Sequence, residues 1–303
     1  ASTATAPSYP PARPMAAKRR HTSSRAFGLT TLAMLAFAGN SILCRMALAD
    51  TTIDPASFTS LRLVSGAAML LLVRLLTHRR RATKGHGSWL SALMLFAYAI
   101  CFSYAYVTLS AGAGALILFG FVQATMIAWG LWSGDRPGGL EWLGWALAVM
   151  GLVWLVMPGV EAPPVAGAVL MAASGAAWGV YTLRGRGESD PLAATASNFT
   201  RSLVFAAVLA LIVIGNTDIS SRGALLAVLS GAATSGIGYV IWYAALDKLT
   251  AMEAALVQLS VPALAAGGGV LLLAEPLTLR LLLCTALVLG GISLALSRKR
   301  ARA

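Results

Sequence analysis

Long apolar stretches recur along this chain, and nothing else in the sequence limits its fold as much. A helix that crosses a bilayer needs about 20 mostly apolar residues, because the hydrocarbon core is roughly 30 Å thick and each helical residue rises about 1.5 Å. Such stretches run at Phe27 to Leu48, Ala56 to Leu76, Ser88 to Leu109, Ala113 to Trp132 and Leu140 to Met157. A second set runs at Val165 to Leu183, Leu192 to Ile214, Gly223 to Leu246, Ala251 to Ala274 and Leu277 to Leu296. Turn or charge signals part most of them, as at Asp50 to Pro55, Pro158 to Pro164, Arg184 to Pro191 and Glu275 to Pro276. The hairpin Ser110 to Gly112 carries no charge and is the weakest boundary. Only 11% of the 303 residues are charged, against about 25% in a soluble domain. The sequence therefore predicts an all-α membrane protein of ten transmembrane helices.

The formal net charge of +12 would suit a nucleic-acid partner only if the basic residues shared one solvated face with aromatic residues among them. They cluster instead at Lys18, Arg19, Arg20 and Arg25, at Arg79, Arg80, Arg81 and Lys84, and at Arg298, Lys299, Arg300 and Arg302. Each cluster flanks an apolar run, as loops beside membrane spans do. The expected partners are a lipid bilayer and a small-molecule substrate, with no nucleic acid. Cys44, Cys101 and Cys284 lie inside apolar runs without paired spacing, which points to packing and to neither a disulfide framework nor a metal site. No P-loop, nucleophile elbow or aspartate-rich metal motif occurs, and His21, His78 and His86 fall in the tail or a loop. Neither an enzyme nor a cofactor is expected.

An internal repeat organises the spans. At an offset of 140 residues, Leu109, Ala111, Ala115 and Leu116 fall on Leu249, Ala251, Ala255 and Leu256, and Ala146, Leu147 and Gly151 on Ala286, Leu287 and Gly291. The same offset sets Asp50 on Asp190 and Asp135 on Glu275. Each repeat holds five spans, an odd number, so the second must enter the membrane from the opposite side: two inverted-topology five-helix repeats. With the N-terminus inside, all of the 23 Lys and Arg except Arg45, Arg62, Arg201, Arg222 and Arg280 fall on the cytoplasmic side or in the N-terminal tail. Both termini are then cytoplasmic. The expected divisions are a disordered tail over 1–25, a first repeat over 26–158, a second over 159–297 and a basic tail over 298–303. Lys18 to Arg20, the first apolar run and Ala47-Leu48-Ala49 also fit a secretory signal with its cleavage site, but the run is long for a signal and has a counterpart later in the chain.

AFAGNSILCRMAL in span one, Asp54-Pro55 followed by Arg62 in span two, YAALDKLTAMEAALVQLSVPALAAGGGVLLLAEPLT through spans eight and nine, and the Glu275-Pro276 step within it carry a family resemblance. The chain resembles the drug/metabolite transporter superfamily over about residues 26 to 297. Within it, the chain is similar to EamA-type exporters and most of all to the YddG-type exporters of aromatic amino acids. This resemblance implies a central cavity surrounded by spans one, three, four, six, eight and nine, with five and ten packed outside.

The residues on those helices suggest what the cavity takes. Tyr239, Trp242 and Tyr243 share one face of span eight by their i, i+3, i+4 spacing. Span three carries Tyr98, Phe102 and Tyr104, and span six Trp178 and Tyr181. Asn40, Gln123 and Gln258 are mid-span amides that either bond helix to helix or hold a zwitterion's amino and carboxyl groups. Pro262, just before the glycine run Gly267 to Gly269, marks a kink and a candidate hinge in span nine. Arg62 and Arg201, about two turns into their spans, are the only candidates for holding a phosphate-bearing substrate, but the expectation is snorkelling to the interface or capping a loop with Asp50 or Asp54. All eleven acidic residues lie in loops or near span ends. A cation/proton antiporter is therefore disfavoured. The expected function is an inner-membrane exporter of aromatic or other bulky neutral, amphipathic amino acids by alternating access, facilitated rather than proton-coupled. The alternatives are a broad-specificity drug/metabolite exporter and, from another class, a polytopic membrane enzyme or scaffold.

Overall fold

The computed structural model describes residues 24–77, 87–134, 136–159, 161–186, 188–215, 217–246, 248–249 and 251–302. Among them ten helices are long and apolar enough to cross a membrane, and no strand occurs. Spans 1 to 5 are Ser24–Asp50, Pro55–Leu76, Trp89–Tyr106, Ala111–Trp132 and Gly139–Val156. Spans 6 and 7 are Val165–Arg184 and Pro191–Val213, span 8 is Ser221–Leu246, and span 10 is Leu279–Arg302. Span 9 is broken, Ala251–Gln258 being followed by Ser260–Leu273. Outer faces leave large apolar side chains uncovered: Leu271 is 83% exposed and Ile212 75%. Water would penalise that surface and hydrocarbon accepts it, provided backbone polar groups are bonded within each helix. Hydroxyls obey the same demand, and Thr59, Thr125, Thr182 and Thr234 each donate to the carbonyl four residues back.

The span ends are set by capping chemistry that recurs between the halves. Asp54 accepts from the Ala56 and Ser57 N–H groups with Pro55 opening span 2, and Asp190 accepts from Ala193 N–H with Pro191 opening span 7. Ser88 caps span 3 and Ser220 caps span 8 in the same manner. The counterpart of Asp190 is thus Asp54, not Asp50 as the constant offset suggested. That offset holds where span 4 begins at Ala111 and span 9 at Ala251, and where span 5 begins at Gly139 and span 10 at Leu279. Loop lengths differ earlier in the repeats, so the register slips there. Ser110 accepts from Ala113 N–H and starts span 4 at the uncharged hairpin.

Neighbours also exchange with the halves. Span 3 packs on 6 as 1 packs on 8, span 4 on 6 as 9 on 1, and span 2 on 8 as 7 on 3. Spans 2 and 7, 4 and 9, and 5 and 10 pack on their own counterparts. Such pairing is what a pseudo-two-fold axis in the membrane plane produces. Spans 5 and 10 meet at glycines: a Cβ on Gly144 would strike the Gly291 carbonyl oxygen, and a Cβ on Gly291 the Gly144 oxygen.

Two spans depart from regular α-helix. Ser230–Ile237 in span 8 is π-helical, a form that is rare outside short functional segments. Span 9 breaks at Leu259, next to Gln258, the residue whose carbonyl the Pro262 ring would strike and cannot bond. Of the glycine run, Gly268 packs on Ile42 of span 1 and Gly269 approaches Ala111 and Glu275, while Gly267 faces open space. Residues 1–23, with Lys18, Arg19, Arg20 and His21, lie outside the described residues, as do His78, Arg79, Arg80, Arg81, Lys84, His86, Asp135 and Asp247.

Candidate functional site

An aromatic column runs through the middle of the bundle. Trp178 of span 6 stacks on Tyr239 of span 8, with centroids 5.5 Å apart at 16°, and on Tyr181 at 5.2 Å and 24°. Its third neighbour is Tyr98 of span 3 at 4.8 Å. Tyr98 continues to Phe102 at 5.4 Å, and Phe102 to Tyr106 at 4.7 Å. Phe37 of span 1 lies 5.9 Å from Tyr239 and 5.8 Å from Trp242. The i, i+3, i+4 spacing in span 8 places Tyr239, Trp242 and Tyr243 on one wall, and Tyr243 exchanges a 2.8 Å hydrogen bond with Thr195 of span 7.

This column separates two spaces. A vestibule of about 560 Å³ is lined by Trp178, Tyr181, Tyr239, Trp242 and Tyr243. It opens where spans 2, 6 and 8 end and span 7 begins, with Thr77, Arg184, Glu188 and Leu246 at its mouth. Beyond it lies a recess of about 30 Å³, whose wall includes Phe37, Asn40, Tyr98, Phe102, Trp178, Tyr239 and Gln258. Nine of the ten binding residues expected from sequence thus line one space or the other. Gln123 is buried in span 4 and lines neither. Tyr104, 40% exposed, turns outward from the column. Spans 2 and 7 also reach the vestibule, through Val73, Thr77, Thr195 and Asn198, because they flank its open end. The ring of six helices implied by the resemblance omitted them.

Two of the three amides, Asn40 and Gln258, are engaged between or within helices. Asn40 Oδ1 accepts from Ser230 Oγ at 2.7 Å and from Thr234 Oγ1 at 3.4 Å, while its Nδ2 donates to Tyr98 Oη at 3.3 Å. Gln258 Nε2 donates to the Ala254 carbonyl of its own helix. The π segment of span 8 turns Ser230, Thr234 and Ser235 towards spans 1 and 2, so its small polar residues are bonded instead of facing hydrocarbon.

Arg62 overturns the snorkelling expectation. It is 2% exposed, and its Nη2 donates to Tyr98 Oη at 2.8 Å. Its Cζ stands 5.1 Å from the Tyr98 centroid and 4.9 Å from the Phe102 centroid. Asp54 is occupied with its own helix N-terminus and with Asp218 N–H, so Arg62 turns inward. Arg201 lies over Trp89 at 5.9 Å, near the start of span 3.

The opposite end of the bundle is closed. Arg45 Nε meets Glu275 Oε1 at 3.0 Å, and Arg45 Nη1 donates to the carbonyls of Tyr106 and Val107, each at 2.9 Å. Glu275 Oε2 accepts from Ala111 N–H at 2.8 Å, where the helix dipole of span 4 favours a carboxylate. Ala274, held at φ 50°, turns Glu275 across the bundle. One ion pair thereby joins the ends of spans 1, 3 and 9 to the start of span 4. Asp54 N–H donates to the Asp218 carbonyl at 2.9 Å, joining two further loops at this end.

Residues 25–157 and 165–297 each match the EamA-like transporter family. The chain is similar to an uncharacterized protein of Pseudomonas aeruginosa, 57% identical over 275 residues that cover 91% of this chain and 96% of that one. It also shares its fold with a crystal structure of a protein at 19% identity and a TM-score of 0.62, over 90% of this chain and 97% of the other.

Proposed function

Because this chain belongs to the EamA-like transporter family, whose members carry two repeats of five helices, we propose that it exports aromatic or other bulky neutral amino acids and related metabolites by alternating access. It is a multi-pass membrane protein, and its place in this reading is a bacterial inner membrane with both termini in the cytoplasm. The observation that carries the reading is the aromatic vestibule, open at one end of the bundle while the Arg45–Glu275 pair closes the other. A concave, mostly apolar space with a few polar groups suits a neutral amphipathic molecule. Stacked rings add about 0.5–1.5 kcal/mol per pair beyond their buried area, which favours substrates that bring a ring of their own.

In the cycle we propose, substrate enters the vestibule, stacks on Trp178 and Tyr239, and the bundle then closes around it while the Arg45–Glu275 pair parts. Spans 8 and 9 supply the irregular backbone at which such a motion can bend. The test is exchange in proteoliposomes: vesicles loaded with unlabelled phenylalanine or tryptophan should take up labelled phenylalanine. Exchange of organic-cation dyes in preference to amino acids would replace this reading with the broad drug/metabolite exporter.

A further inference from the structure

Among the described residues Arg62 is the one charged side chain that is buried, and its surroundings do not neutralise it. Its Nη2 bonds to a tyrosine hydroxyl, its Nε approaches Ser235 Oγ at 3.5 Å, and two rings lie near its face. No Asp or Glu pairs with it, and its Nη1 has no hydrogen-bond partner. A buried charge is ordinarily paired, because removing it from water is costly unless an opposite charge and further hydrogen bonds compensate. A guanidinium offers a fork of N–H donors that matches a carboxylate.

The neighbouring groups complete a receptor for such an anion. Tyr98 Oη accepts from both Arg62 and Asn40, and among the described residues no acceptor takes its own proton. Arg62 itself lines neither space, but the side chains against it, Tyr98, Phe102 and Ser235, all line the inner recess. The recess holds about 30 Å³ against about 560 Å³ for the vestibule. It therefore fits a head group and not a whole substrate, whose ring stays among Trp178, Tyr239 and Trp242 in the vestibule.

We propose that Arg62 and the Tyr98 hydroxyl form a carboxylate subsite, which makes the carboxylate the group by which this transporter recognises its substrate. The proposal rests on the amino-acid reading above, and it divides that reading from the drug reading by charge. Amino acids and aromatic carboxylic acids qualify; amines without a carboxylate do not.

The experiment uses the full protein in proteoliposomes and competes phenylalanine exchange with phenylpropionate, which lacks the amine, and with phenethylamine, which lacks the carboxylate. Inorganic phosphate and labelled succinate are run alongside. Phenylpropionate should compete about tenfold or more better than phenethylamine, the margin expected of a hydrogen-bonded charge. Arg62→Gln should erase that preference and Arg62→Lys should keep part of it. Equal competition by the two analogues in the native protein, or a preference that survives Arg62→Gln, overturns the subsite without recourse to any variant's folding. Phosphate displacing substrate better than phenylpropionate also overturns it. If phenylalanine is not exchanged but succinate is, and Arg62→Gln abolishes that exchange, the aromatic reading fails while the carboxylate subsite stands.

Discussion

Trp178 lies against Tyr98, Tyr181 and Tyr239, whereas Trp242 meets only Phe37 among the rings of the column. A substrate ring stacked on Trp178 is worth about 0.5–1.5 kcal/mol, so Trp178→Ala should weaken phenylalanine exchange by roughly two- to tenfold in apparent affinity, and Trp242→Ala by less. Proteoliposome kinetics on both variants check this, and equal, small effects would make the column a packing device. Tyr98→Phe is a different kind of change. It leaves Arg62 Nη2 and Asn40 Nδ2 without their shared acceptor, so the protein should lose about 1–3 kcal/mol of stability, read as a lowered melting temperature in detergent. At this scale the sequence was only half legible. Helical spacing found the ring stripe of span 8, because one helix decides it. It misjudged Arg62, whose partner Tyr98 sits on another span and whose depth along span 2 fits snorkelling equally well. Tyr104 shares span 3 with Tyr98 and Phe102, but its position on the helix turns it outward.

The spans themselves are legible to within about three residues at every end but the last, where Leu296 is expected and the helix runs on to Arg302, since length and apolarity follow from bilayer thickness alone. Span 2, expected at Ala56 to Leu76, is Pro55–Leu76, and span 4, expected from Ala113, begins at Ala111. Pro262 signalled the break in span 9 because a proline's effect falls on its own helix. The π segment of span 8 had no such signal; the run of small and polar residues from Ser230 to Gly236 is its only trace. Contacts between elements give two predictions. Gly144→Val puts a branched side chain where spans 5 and 10 meet backbone to backbone, and overpacking of that kind costs about 1–3 kcal/mol. Thermal stability should fall while the ranking of substrates stays unchanged, as that pair lies away from the vestibule; an altered ranking would count against this. Arg45→Ala removes both the ion pair and the bonds to Tyr106 and Val107, so the closed end should open more often. A cysteine placed at Phe102 would then react faster with a membrane-impermeant thiol reagent from the Glu275 side than it does with Arg45 intact, and an unchanged rate would remove the pair from the gate.

At the scale of the whole molecule, every Asp and Glu among the described residues lies in a loop or near a span end, and this bears on the energy source. Coupling to a proton gradient needs a group that changes protonation in a space opened alternately to each side, usually Asp, Glu or His. Among the described residues no Asp or Glu lines the recess, and the three histidines lie outside those residues. Glu188 lines the vestibule only at its mouth, in the loop after span 6, where water reaches it from one side. Glu275 is bonded to Arg45 and to the N-terminus of span 4 at the closed end, and Glu253 lies half-buried in the first turn of span 9 and lines neither space. Arg62 is buried, but a guanidinium stays protonated at any physiological pH. A fixed charge of this kind can attract a carboxylate and cannot carry a proton across. We therefore predict facilitated transport: a substrate that accumulates inside the cell leaves down its own gradient without a partner ion. Liposomes loaded with phenylalanine should release it with no electrochemical gradient present, and a pH gradient of either sign should fail to drive accumulation. Uphill accumulation under a pH gradient, abolished by Glu253→Gln, would show that this carboxylate turns inward during the cycle and that the protein is an antiporter. Accumulation abolished by Glu275→Gln instead would make the closing ion pair itself the proton site, with protonation of Glu275 releasing Arg45 and opening that end of the bundle.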